Sequence, residues 1–220
     1  MSRERGENPF SRTSEVRNPK KVFLLACEGR RTEKKYFNGM QENREELQIL
    51  KYIDIEIFEK SNQDISNPLK IFEELKKEME NNGIEADEVC LIVDRDSESF
   101  TEEQYTKVLN GCEENGFKFY LSNPSFELWL LFHFIDNELS DEQKRDFSNG
   151  TKKISEELQL YLINNGLSRA KKFKKNILFR HYMDRIENAI SVAKKYETNI
   201  YNLKDNLGTN VYELVENIMI

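Results

Sequence analysis

Two runs constrain this chain more than any others: KVFLLAC (21–27) and EVCLIVD (88–94). Each is short, continuously apolar and cut off abruptly by charge, the pattern of a strand covered on both faces in the middle of a parallel sheet. Between them, YIDIEIF (52–58) alternates apolar and polar residues, as a strand with one wetter face does. FKFYLSN (117–123) supplies a fourth strand before a turn at Asn123-Pro124.

Helical period fills the gaps. From Thr32, read as a cap, Tyr36, Phe37 and Met40 fall on one face. NPLKIFEELKKEMENNG (67–83) opens with Asn67 as cap and Pro68 in the first turn, and stops at Gly83. TEEQYTKVLNGCEENG (101–116) ends at Gly116. Strand and helix alternating four times predict an α/β fold with a mainly parallel four-stranded sheet flanked by helices. From about residue 125 only helical periodicity is legible: SDEQKRDF, TKKISEELQLYLINNG, LFRHYMDRIENAISVAKKYE and NVYELVENIMI. The expected organisation is therefore a loosely attached basic tail (1–20), an α/β core (21–135) and a C-terminal helical layer (136–220) packed on that core.

With 220 residues and 38% hydrophobic content the chain can bury one sizeable core. Its 33 Lys and Arg against 40 Asp and Glu, net −7, exclude a general polyanion binder, so any nucleic-acid surface must be local. Cys27, Cys90 and Cys112 are an odd number without CxxC spacing, and two of them sit in strand-like runs; they read as reduced, buried thiols. No apolar run approaches 18 residues and the amino terminus lacks the apolar stretch of a signal peptide. The expectation is a cytoplasmic protein with no membrane contact.

The acids at the strand ends carry the chemistry. Glu28 follows the first strand, while Asp94 and Asp96 close the third, and in an open parallel sheet those carboxyl ends share one rim. Alternate residues of an extended segment let both aspartates point one way. Three carboxylates meeting there would repel one another unless a divalent cation joined them, and hard oxygen donors suit Mg²⁺ or Mn²⁺. Gly29 would leave room for a close backbone or phosphate approach. Acids after strands also serve as ordinary turn or cap residues, and an Asp-x-Asp also occurs in haloacid-dehalogenase-type phosphatases.

An apolar strand ending Glu-Gly, followed two strands later by one ending Asp-x-Asp, resembles the Toprim pattern of topoisomerases, primases and OLD-type nucleases. More narrowly, CEGRRTEKKYF (27–37), VDRDSES (93–99), SNPSFELWLLFHF (122–134) and NLGTNVYELVENI (206–218) together are similar to the RloB-like (AbiLii abortive-infection) family. That resemblance implies a Toprim-like core, a metal-dependent nuclease acting in anti-phage defence, and an AAA- or ABC-type ATPase partner. Glu28, Asp94 and Asp96 match its metal carboxylates. The resemblance also implies an aromatic-x-Lys motif at Phe173 to Lys175, which makes Lys175 the candidate for binding the scissile phosphate or its leaving oxygen. The chain departs from the pattern at Asn206-Leu207-Gly208-Thr209, where Asn-Pro-Ser/Thr is usual, and at Arg30-Arg31, where Glu-Lys is commoner.

Glu127, one turn into a helix after the fourth strand, is a candidate fourth carboxylate or a first-turn acid favoured by the helix dipole. Glu33 and Asn123 flank the site, Glu33 at a helix start and Asn123 as a helix cap or phosphate-orienting amide. RAKKFKKNILFRH (169–181) carries Arg169, Lys171, Lys172, Lys174, Lys175 and Arg180 without an acid, and with Arg30 and Arg31 it is the expected nucleic-acid surface. Trp129 and His133 read as packed core. The leading expectation is a metal-dependent nuclease acting on RNA or DNA as an effector in abortive infection. The alternative is a metal- or nucleic-acid-binding regulatory subunit that works with a partner ATPase, since the chain has no GxxxxGK[ST] P-loop of its own.

Overall fold

The apolar runs do form the centre of the sheet. The computed structural model describes residues 20–62, 65–83, 85–95, 100–148, 150–167 and 178–219. Its elements run β1 (Lys21–Cys27), α1 (Thr32–Glu42), β2 (Ile53–Ile57), α2 (Pro68–Asn82), β3 (Glu88–Asp94), α3 (Glu102–Asn115), β4 (Lys118–Asn123) and α4 (Phe126–Phe132). They continue with α5 (Asp141–Ser148), α6 (Thr151–Asn164), α7 (Arg180–Met183), α8 (Ile186–Ala193), α9 (Ile200–Leu203), β5 (Gly208–Thr209) and α10 (Val211–Met219).

The sheet order is β2-β1-β3-β4-β5, parallel through the first four strands, with β5 antiparallel to β4. The chain leaves β1 for β2 on one side and then steps back over β1 to β3. These opposed crossovers place α1 on one face and α2 and α3 on the other. Strand alternation matches: Phe23, Leu25 and Cys27 pack with Tyr36, Phe37 and Met40 of α1, while Leu24 and Ala26 pack with Ile71 and Leu75 of α2 and with Tyr105 and Val108 of α3. The C-terminal helices complete the α1 face, where Trp129, Leu158, Tyr182, Ala189 and Leu214 join the same core.

Local chemistry explains the boundaries. Asn67 Oδ1 accepts from the amides of Leu69 and Lys70, and Gly83 takes the left-handed conformation (φ 59°) beyond α2. Thr101 and Gln104 form a reciprocal capping box on α3.

Three expectations need correction. Thr32 does not cap α1: it is the first helical residue, Arg31 stands at the cap, and no side chain bonds the first turn. The segment expected as one helix over LFRHYMDRIENAISVAKKYE is two, α7 and α8. Arg185 leaves the helical conformation (φ −122°, ψ 9°), which lets Tyr182 and Ile186 both enter the core.

Third, the sheet has five strands. Gly208-Thr209 pairs with Asn123 and Ser122, and a Cβ at position 208 would overlap the Glu197 carbonyl, so only glycine fits. The adjoining Asn210 completes that edge as a backbone mimic, its Oδ1 accepting from Leu121 N (2.7 Å) and its Nδ2 donating to Phe119 O (3.1 Å). The three cysteines are free and buried, as expected.

Candidate functional site

The strand order reverses between β1 and β3, and ligands of open α/β sheets bind at such a switch point, outside the carboxyl ends of the strands. Glu28 and Asp94 stand there. Glu28 N donates to Ile92 O (2.9 Å), extending the β1–β3 ladder by one rung. The Glu28 carboxylate then supplies the next rung: its Oε2 accepts from Asp94 N at 2.9 Å, across 66 residues of sequence. Asp94 Oδ1 in turn accepts from Phe126 N (2.8 Å) at the start of α4. One acid is thus oriented by the sheet and the other by a helix terminus.

Two further acids close on this pair. Glu33, in the first turn of α1, is 3% exposed, and Glu127, in the first turn of α4, is 4% exposed. A Cβ on Gly29 would overlap the Glu33 carboxylate, so the missing side chain makes space for that acid rather than for a phosphate.

The electrostatics follow from the crowding. Burial first, then Glu33, Glu127 and Glu28 in that order, push the Asp94 carboxyl well above the usual carboxylate range, and the Phe126 amide pulls the other way. Burial, reinforced by Glu127, raises the phenol of Tyr182. On the opposite side lies a cation that sequence reasoning missed. Lys60, just past β2 and 4% exposed, donates from Nζ to Glu28 O (2.8 Å) and Ile65 O (2.7 Å). Its neighbour Lys34 pairs with Glu59 at 2.9 Å. Because all loops after parallel strands reach one rim, the loop after β2 was the place to look for it.

A family model described as RloB-like protein matches residues 23–218. The chain belongs to the RloB-like family. No curated protein and no solved structure matches it.

The structure gathers the family's motif residues unevenly. In this RloB-like protein Glu28 holds the Asp94 amide, the charges of Glu33 and Glu127 bear on Asp94, and Gly29 lies beneath Glu33. Asp96 lies outside the described residues, as do Arg169, Lys171, Lys172, Lys174 and Lys175. Among the described residues, no group of three or more His, Cys, Asp or Glu side chains is set to hold a metal ion. The donor chemistry still suits one: the four acids offer only hard oxygen, and the raised Asp94 carboxyl reports a potential that a cation would relieve.

Arg30 and Arg31 are exposed directly beyond Glu28. Arg180 is elsewhere. It reaches Asn43 (3.4 Å) and Glu46 (3.9 Å) past the far end of α1, an 11-residue helix roughly 16 Å long, so it stands away from the carboxylates. Asn123 does not cap α4. Its Nδ2 donates to Leu203 O (2.7 Å), tying β4 to α9, while Ser125 occupies the cap position. Trp129 and His133 are fully buried, as read from the sequence. No described helix is long and apolar enough to cross a membrane.

Proposed function

We propose that this RloB-like protein is a metal-dependent nuclease with a Toprim-like core, which hydrolyses phosphodiester bonds of RNA or DNA as an effector in anti-phage defence beside an AAA- or ABC-type ATPase. The family is consistent with a defence role. The observation that carries the chemistry is the contact between Glu28 and Asp94 at the β1/β3 switch point, with the charges of Glu33 and Glu127 bearing on Asp94.

Glu28, Asp94 and Asp96 would hold Mg²⁺ or Mn²⁺, which when bound supplies an activated water and offsets the charge developing in an in-line displacement. The chain's own residues prepare that role. The Asp94 amide fixes the Glu28 carboxylate, and the Phe126 amide fixes Asp94. Glu33 and Glu127 hold the rim at negative potential, which draws in a cation ahead of a phosphate. Arg30 and Arg31, exposed beside it, meet the nucleic-acid backbone, and the basic stretch containing Arg169, Lys171, Lys172, Lys174 and Lys175 extends that attraction. A phosphatase with Asp94 as nucleophile fits less well, because burial and three neighbouring acids favour the protonated, non-nucleophilic carboxyl.

The engagement of Glu28 Oε2 and Asp94 Oδ1 by backbone amides favours a second reading, a regulatory subunit that binds metal or nucleic acid without cutting. One assay separates them: cleavage of labelled RNA and DNA in Mg²⁺, Mn²⁺ or chelator, by wild type, Glu28→Gln and Asp94→Asn. The nuclease reading expects metal-dependent cleavage that each substitution lowers by about 10²–10³-fold. Cleavage at the wild-type rate in both variants overturns it. Metal binding without cleavage, with the partner ATPase present, supports the second reading.

A further inference from the structure

We infer that Arg95 is a positioning residue: its guanidinium fastens the end of β3 to the C-terminal end of α9, and so fixes where the neighbouring Asp94 carboxylate stands. The metal part of this inference rests on the proposed role of Asp94; the placement of the carboxylate does not.

Alternation along β3 sets the two side chains back to back. Cys90 and Ile92 pack on the α1 face of the sheet, and Val89, Leu91 and Val93 on the α2 and α3 face. Arg95 N donates to Ser122 O (2.8 Å), which carries the β3–β4 ladder one rung past Asp94. Asp94 therefore continues the first row, where its Oδ1 meets Phe126 N. Arg95 continues the second, with its guanidinium 6.0 Å from the ring centre of Phe100 and 5.9 Å from that of Tyr105. It faces away from the carboxylates and acts on them only through the backbone.

The guanidinium is gripped at two points. Its Nε donates to Lys204 O (3.0 Å) and its Nη1 to Phe100 O (2.6 Å), just before the Thr101 cap of α3. Lys204 closes α9, and the preceding carbonyl, Leu203 O, accepts from Asn123 Nδ2 at the end of β4 (2.7 Å). Two consecutive carbonyls that a helix end cannot satisfy by itself thus receive the ends of two adjacent strands. The Tyr105 hydroxyl, donating to Ile200 O, ties the same helix to α3.

Bonds from a charged donor to a carbonyl belong to the stronger class, and a planar fork reaches two elements at once where a lysine would bring a single head. Asp94 and Arg95 share one peptide unit. Releasing the guanidinium lets that unit turn, and the contacts of Asp94 N with Glu28 Oε2 (2.9 Å) and of Asp94 Oδ1 with Phe126 N (2.8 Å) loosen together. A residue that only added stability would leave both contacts unchanged in the folded protein.

The test uses Arg95→Ala and Arg95→Lys in the full chain, with Ile71→Val as a core truncation on the same face of the sheet that costs stability without touching Asp94. In chelator, the NMR signal of the Phe126 amide proton, drawn downfield by its bond to a carboxylate, is expected to move upfield in Arg95→Ala, to move less in Arg95→Lys and to stay in place in Ile71→Val. Calorimetry is expected to show Mg²⁺ binding about tenfold or more weaker in Arg95→Ala, the scale on which losing the support of a metal ligand acts, and unchanged in Ile71→Val.

A Phe126 signal that stays in place in a folded Arg95→Ala, or that Ile71→Val displaces equally, overturns the inference. So does Mg²⁺ binding as tight in Arg95→Ala as in wild type. If Arg95→Ala does not fold, Arg95→Lys decides by the same two readings; failure of both to fold also overturns it, because Arg95 would then hold the fold and not the site. Should wild type bind no Mg²⁺, the metal reading of Asp94 falls, while the Phe126 signal in chelator still decides whether Arg95 sets the place of that carboxylate.

Discussion

His133 offers the sharpest quantitative check on the interior that supports the site. It is fully buried in α4's continuation, with Nδ1 facing Trp129 O at 3.0 Å and Nε2 facing the Tyr36 hydroxyl at 3.1 Å. Nδ1–H donates to the carbonyl, which leaves Nε2 to accept from the Tyr36 O–H. Burial is the main cause that pushes the imidazole down to about 3, with Arg185 adding to it and the hydrogen bonds to the Trp129 and Leu130 backbone opposing.

The unfolded chain therefore takes up a proton that the folded one refuses. The contribution is complete above an unfolded value near 6.5 and is lost as pH falls towards the folded value of about 3. From pH 8 to pH 5 the loss is about 2 kcal/mol, and by pH 3 it is on the order of 4–5 kcal/mol. For a chain of this size 2 kcal/mol is about 4–8 °C in Tm. Asp94, whose folded-state carboxyl is raised, acts in the opposite direction and loses stability as pH rises, so the wild-type curve alone is ambiguous.

Urea unfolding of wild type and His133→Gln at pH 8 and pH 5 removes that ambiguity. The variant is expected to be about 1–3 kcal/mol weaker at pH 8, through an imperfectly satisfied Tyr36 hydroxyl, and to lose about 2 kcal/mol less than wild type on going to pH 5. Equal losses in the two proteins would refute the claim that the fold excludes the imidazolium.

Asp94→Asn should melt higher than wild type at pH 7.5 in chelator, because it replaces a carboxyl whose ionisation burial and three acids oppose with a neutral amide that keeps an acceptor for Phe126 N; a lower Tm would contradict the electrostatic account. Gly208→Ala should cost about 2–4 kcal/mol by driving a methyl into the Glu197 carbonyl and detaching β5, and a Tm within a degree of wild type would remove the argument for glycine there. Mg²⁺ at a hundred times its Kd should add about 2.7 kcal/mol, or about 5–11 °C, to wild type and far less to Glu28→Gln; equal shifts would place the ion elsewhere.

Much of this was legible in the sequence, for reasons that are themselves physical. β1 and β3 are covered on both faces, so their residues are apolar without interruption and their ends are marked by charge. Glu28 and Asp94 were visible as candidates because a parallel sheet delivers every strand's carboxyl end to one rim.

What escaped was set by tertiary fit. β5 is two residues long, and its identity depends on how closely Gly208 passes Glu197, which no periodicity encodes. The break between α7 and α8 lies within an unbroken helical pattern and arises from the core's demand for both Tyr182 and Ile186. Glu33 looked like a first-turn acid of α1, and nothing in the sequence singled out Lys60. Each gains its place only when β1 and β2 lie side by side.

The carboxylate of Glu28 replaces a backbone carbonyl at the end of the β1–β3 ladder. A side chain recruited into the hydrogen-bond lattice of a central sheet inherits the lattice's kinetics. The amide proton of Asp94 should accordingly exchange with solvent only when the Glu28 carboxylate lets it go, which makes a single NMR resonance a running record of whether that acid is in place.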